Sequence, residues 1–216
     1  MGQPEDNPQV AGHRSPLSRG LGVVEHGRAV GQGIFGFRRV VCRVERKQLQ
    51  RAGRLQAAPA PDGKLPVGSA EAAKDFPNAK ELPDPNTNYK VVFSVGAKVK
   101  DDEVHPTLKM IGLYLNTLAH NGVPAKNRHI AAMFHQGGGD AVFQNEVYKA
   151  RHNGVDNPNI AALKELHEAG VELHVCGQGL IGKKVDPSQL LPGVQADLWA
   201  MVTMVNLQSR GYVRVG

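Results

Sequence analysis

Cysteine is scarce in this chain: two residues, Cys42 and Cys176, in 216. One lies in each of two compositionally different regions, so the disulfide framework that holds small secreted domains together is not expected. Aromatic residues make up only 5% of the chain, and no basic stripe carries the interleaved aromatics that stack on nucleic-acid bases. No stretch reaches the roughly 18 to 20 apolar residues that span a bilayer. The short basic start, apolar core and cleavage site of a signal peptide are missing as well. Seven of the nine histidines follow residue 88, yet none falls into an HxH, HExxH or Cys/His pattern, so no metal is expected. These absences lead to the expectation of a soluble, cytoplasmic protein in a reducing compartment, with export following only if the N-terminus is misassigned.

The charge that is present is unevenly placed. Residues 1–60 carry ten Lys and Arg against four Asp and Glu, whereas residues 89–216 carry thirteen against eleven. The net charge of +6 therefore belongs to the first sixty residues, and nucleic-acid binding is not expected of the remainder. Residues 1–60 show no sustained hydrophobic period and are expected to be a disordered extension, or a stretch added by an upstream start assignment. Residues 61–87, with prolines repeated through Glu81-Leu-Pro-Asp-Pro-Asn-Thr87, are expected to be a linker with little packed structure. A folded domain is expected over 88–216.

That domain reads as alternating strands and helices. Tyr89–Val95 is a short apolar run rich in β-branched residues, the mark of a buried strand. His105–His120 places Leu108, Ile111, Leu115, Leu118 and Ala119 on one helical face, with Asn121-Gly122 as its stop. A second strand is expected at His129–His135, a helix at Pro158–Ala169, and a third strand at Val171–Cys176. Val194–Gln208 is expected as one helix with Val194, Leu198, Met201, Val202 and Val205 facing inward, followed by a strand at Tyr212–Val215. The fold class is α/β: a three-layer sandwich around a mostly parallel sheet of four or five strands, flavodoxin-like in its layering.

In such a fold the carboxyl ends of the strands gather the chemistry. Cys176 ends the third strand and runs into Gly177-Gln178-Gly179, where a following helix would aim its partly positive N-terminus at the sulfur. His135 ends the second strand on the same edge and could assist the thiol, as could Lys183. Backbone N–H groups of Gly177 to Gly179 would face a charged sulfur. Gly137, Gly138 and Gly139 could bare N–H groups to an anion, although the run lacks the GxGxxG and P-loop patterns. A buried, inert Cys176 acting as a small hydrophobe is the competing reading.

Tyr89–Val95, Asn157-Pro158-Asn159 with Ala161–Leu166, Ala169–Gln178, Lys183–Asp186, and Leu191–Val194 through Gln208–Tyr212 together resemble the DsrE/DsrF-like family. The resemblance implies an α/β sandwich that assembles into trimers or hexamers. In the sulfur-relay members, the cysteine matching Cys176 carries a persulfide taken from one protein thiol and passed to another. By that resemblance the chain is a sulfur carrier or sulfurtransferase with Cys176 as nucleophile, a sulfur donor or acceptor protein as partner, and no cofactor. Two alternatives remain: a non-catalytic oligomeric module binding a small anion in the same crevice, and a structural oligomer whose thiol is merely buried.

Overall fold

Five short apolar segments pair into one sheet in the computed structural model, which describes residues 64–216. They are β1 (Tyr89–Val95), β2 (Arg128–Phe134), β3 (Glu172–Cys176), β4 (Val194–Asp197) and β5 (Val213–Val215). Their order is β4-β3-β2-β1-β5, and every pair is parallel. The long pairing is β1 with β2, in register from Tyr89 opposite Arg128 to Val95 opposite Phe134. The arginine-rich stretch 1–60 and Cys42 lie outside the described residues.

Because side chains alternate across a strand, each strand feeds two cores. Val91, Phe93, Val95, Ile130, Ala132, Phe134, Leu173 and Val175 face one layer of helices. That layer holds α1 (Pro106–His120), α2 (Asn145–Arg151), α3 (Ile160–Glu168) and α4 (Gly177–Lys183). On the other face Val92, Ala131, Met133 and Cys176 meet a single helix, α5 (Ala200–Ser209), through Ala200, Met204 and Leu207. The sandwich thus has three layers of unequal thickness.

The predicted inward face of α1 is the observed one: Leu108, Ile111, Leu115, Leu118 and Ala119 are all buried. The helix starts at Pro106, whose missing N–H costs nothing there, and His105 caps it. The imidazole Nδ1 accepts from Thr107 N–H at 3.2 Å, and Nε2 lies 3.1 Å from the Ala97 carbonyl, to which it can donate.

Two sequence expectations need correction. Val194–Gln208 is not one helix. A strand occupies Val194–Asp197 and a helix Ala200–Ser209, because Gly193, at φ 82, turns the chain into the free edge of β3. The inward face was also misassigned. Leu198, Met201, Val202 and Val205 are exposed, whereas Ala200, Thr203, Met204 and Leu207 are buried. An apolar helix carries no period that marks its buried side.

The described part of the 61–87 segment forms no helix or strand before Tyr89, yet it is partly docked. Val67 is 2% exposed and belongs to the larger core. Asn116 on α1 grips its backbone, accepting from Val67 N–H at 3.0 Å and donating to the carbonyls of Val67 and Ala70, each at 2.8 Å. Gly112 leaves room for the strap, since a Cβ there would approach the Ala70 Cβ to 2.9 Å. Repeated proline prevents ladder formation but not packing.

Burial holds the His105 pKa below its ordinary 6.5, with only a partial counter-effect from the Ala97 carbonyl. The unfolded chain therefore binds a proton that the native state resists, and stability falls as pH drops through about 6.5 toward the depressed native value. Thermal unfolding scans between pH 7.5 and 5 should show this loss. A His105→Gln variant should be less stable at neutral pH but show a shallower loss across that interval.

Candidate functional site

All five strands point the same way, so their carboxyl ends form one edge. On the face covered by α5, that edge presents Ser94 after the body of β1, His135 after β2, Cys176 at the end of β3 and Asp197 at the end of β4. Cys176 is opposite Asp197 in the β3–β4 register. His135 follows the Phe134–Val175 pair in extended backbone, which puts it beside Cys176 on the neighbouring strand.

Cys176 has two structural duties. It is the N-cap of α4, and its sulfur accepts a hydrogen bond from Ala200 N–H, the first residue of α5, at 3.4 Å. No side chain caps α5, so the thiol satisfies one of the N–H groups that every helix start leaves orphaned. Helix α4 thus begins directly after Cys176 in the chain, and α5 begins against its sulfur. Cys176 is 7% exposed.

The glycines after it have distinct roles. A Cβ on Gly177 would come within 2.6 Å of the Asp197 carbonyl, so glycine lets α4 start against the end of β4. Gly179 meets nothing nearer than the Cys176 Cβ at 4.0 Å, which leaves open space next to the thiol. Gln178 donates through Nε2 to the Leu198 carbonyl at 3.1 Å and ties the two helix starts together.

A polar network sits directly below the thiol. His174, two residues earlier on the same face of β3, places Nδ1 3.0 Å from Asp197 Oδ2. Asp197 also accepts from Thr203 Oγ1 at 2.8 Å and from Gln195 Nε2 at 2.6 Å. Sequence reasoning does not find Asp197, because it falls in the first turn of the helix expected at Val194–Gln208. The signal available was the Pro192-Gly193 turn before the alternating Val-Gln-Ala-Asp.

The chain belongs to the DsrE/DsrF-like family. Its family model matches residues 105–215, which include β2, β3, β4, β5 and all five helices described. Among solved structures it is similar to a protein of unknown function, MTH1491 from Methanobacterium thermoautotrophicum, at 21% identity and a TM-score of 0.43. That match covers 59% of this chain and 99% of the other. No curated protein matches the chain.

The two assistants suggested for the thiol are engaged elsewhere. Lys183 ends α4, and its ammonium bonds Asp140 and the Gln136 carbonyl, the latter at 3.0 Å. It thereby anchors the 3-10 helix Gln136–Val142 that follows β2. Gly137 and Gly138 let this helix press on the loop after β1: Cβ atoms there would come within 2.7 Å of Lys98 N and 2.3 Å of the Val95 carbonyl. Gly139 lies against Lys183, with 3.4 Å from its built Cβ to the ammonium nitrogen. His135 Nε2 is 2.9 Å from Ser94 Oγ, which also receives Arg214 Nη2 at 3.4 Å.

Behind Lys183 lies a second cluster. His152 Nδ1 is 2.8 Å from Asp101 Oδ1, its Nε2 is 3.1 Å from Asp140 Oδ2, and its ring stacks on Tyr148 at 3.8 Å. Burial, then the charges of Asp101 and Asp140, raise the Tyr148 pKa, and its hydroxyl donates to the Asp101 carbonyl at 2.8 Å. Among the described residues no group of three His, Cys, Asp or Glu side chains is arranged to hold a metal ion, and none of their helices is long and apolar enough to cross a membrane.

Burial lowers the pKa of His135, and the positive charge of Arg214 lowers it further. Removing that charge with Arg214→Ala should raise the His135 titration midpoint in an NMR pH titration. An unchanged midpoint would assign the whole depression to burial.

Proposed function

We propose that this protein accepts sulfane sulfur as a persulfide on Cys176 and passes it to another thiol. The observation that carries this reading is the hydrogen bond from Ala200 N–H to the Cys176 sulfur, where two helices begin. Partial positive charge at helix starts favours a negative group, and sulfur exchange requires the sulfur to act as a thiolate. Membership of a family with sulfur-relay members supports the same reading.

In the proposed step the Cys176 thiolate attacks the outer sulfur of a donor persulfide. A new S–S bond forms at Cys176 as the donor's S–S bond breaks, and the electron pair leaves on the donor thiolate. The donor is reduced to a thiol, Cys176 is oxidised to a persulfide, and no further oxidant is needed. Attack of an acceptor thiolate on the outer sulfur reverses the exchange and restores Cys176. The open space over Gly179 is the route by which either partner reaches the sulfur. The His135 ring is turned toward Gly96 and Ser94 and takes no part in this step, while Lys183 supports the site indirectly by fixing the end of α4.

Incubation with a polysulfide in a Cys42→Ala background should add sulfur to the protein, read by intact mass. A Cys176→Ser variant should stay folded, because its hydroxyl can accept the Ala200 N–H, and should take up none. Sulfur retained by the Ser variant, or none gained by the folded Cys176 protein, would overturn the proposal.

The acting form in this proposal is a homo-oligomer, a trimer or hexamer. Leu198, Val205 and, on α4, Ile181 are 74%, 58% and 72% exposed, with exposed Trp199, Met201 and Val202 between the first two in sequence. Such a concentration on one short helix and its flank exceeds the scattered apolar residues of an ordinary surface. A second copy covering it would also wall the thiol, since α5 starts at Cys176. Light scattering should show the assembly dissociating in Val205→Glu, a residue that touches neither core cluster.

A further inference from the structure

The described residues enclose a cavity of about 500 Å³ that does not include Cys176. It opens at the carboxyl edge of the sheet, between the loop after β1 and the 3-10 helix after β2, with α2 and the end of α4 as walls. Its lining residues Ala141 and Tyr148 belong to the core beneath α1–α4, whereas Cys176 belongs to the core beneath α5. The cavity and the thiol thus lie on opposite faces of the sheet. Its volume is that of a small-molecule pocket, roughly 300–1,000 Å³, and its position is where parallel α/β sheets bind ligands.

Positive charge is in excess there. Lys98, Arg151 and Lys183 line the cavity against Asp101 and Asp140. Asp140 is heavily subscribed: it bonds Lys183 and His152, and Arg151 Nε lies 3.6 Å away. Asp101 is occupied by the other nitrogen of His152. Lys98 makes no hydrogen bond or ion pair among the described residues, and the Arg151 guanidinium has a single hydrogen bond there, from Nη1 to the Lys183 carbonyl at 3.3 Å. Ammonium and guanidinium groups beside a partly enclosed, low-dielectric space attract an anion more strongly than the same groups on an open surface.

The backbone is shaped around the same space. Gln136 and Asn153 both line it, at φ 48 and φ 53. Asparagine enters this left-handed region readily past a helix end, but glutamine seldom does, and such conformations recur at ligand-binding positions. Val99, Ala141 and the Tyr148 ring add apolar wall.

We propose that this cavity binds a metabolite-sized organic anion, with Lys98 and Arg151 as direct ligands and the Lys183–Asp140–His152 cluster as their fixed floor. The site is independent of the sulfur chemistry. Its test is thermal unfolding of the full chain at constant ionic strength with succinate, glycerol 3-phosphate or ethanesulfonate, which separates carboxylate, phosphate and sulfonate recognition. At least one should raise the melting temperature saturably, and by the same amount in Cys176→Ser. Lys98→Ala should leave the melting temperature without anion unchanged and weaken the apparent affinity about tenfold, as expected for one lost charge-assisted contact. Arg151→Ala should weaken it similarly. The proposal fails if none of the three anions gives a saturable shift, or if both variants respond as the wild type does.

Discussion

Parallel pairing is the constraint on which the rest of this structure depends. Two parallel strands cannot be joined by a tight turn, so every connection must leave the sheet and return across one of its faces. Among the described residues, four helices fill one face and only α5 fills the other. All strand ends then fall on one edge, and the chemistry-bearing groups meet there although they are far apart in sequence. Ser94, His135, Cys176 and Asp197 come from four strands and share the α5 side of that edge.

Around this edge, two polar centres are built by different means. On the α5 side the organising residue is Cys176, which occupies the N-cap position of α4 and whose sulfur receives the first N–H of α5. On the opposite side it is the Asp140 carboxylate, which gathers Lys183 and His152 and so ties α4 and α2 to the 3-10 helix after β2. Helix α4 joins the two centres, with the thiol at its start and Lys183 at its end. Seven residues at about 1.5 Å rise each make that link roughly 10 Å long.

Much of this was legible in the sequence, and the exceptions have physical causes. The buried face of α1 could be read because Leu108, Ile111, Leu115, Leu118 and Ala119 fall at helical spacing on one side, even though Met110 and Leu113 on the outer side are also apolar. Cys176 at the end of β3 was equally legible, because the alternating Val171-Glu-Leu-His-Val-Cys176 stops at Gly177. Residues 194–209 defeated the same reasoning. There the strand is short, no charged residue follows Asp197 before Arg210, and exposed Val202 and Val205 look like core. The pairing of Lys183 with Asp140 could not be foreseen, since it joins residues 43 positions apart. The strap through Val67 carried no periodic signal at all, because one buried side chain and one asparagine clamp do not make a pattern.

The segment that the family model matches is not the whole segment that holds together. The family match begins at His105, downstream of both β1 and the Val67 strap. Without β1, the sheet order leaves β5 with no neighbour and β2 with one exposed edge. Without Val67, the amide of Asn116, itself wholly buried, loses two of its three hydrogen bonds, and the third goes with Ala70. Each polar group stranded in this way costs about 1–3 kcal/mol. A fragment that keeps these contacts must therefore start before Val67, some forty residues upstream of the start of the family-model match.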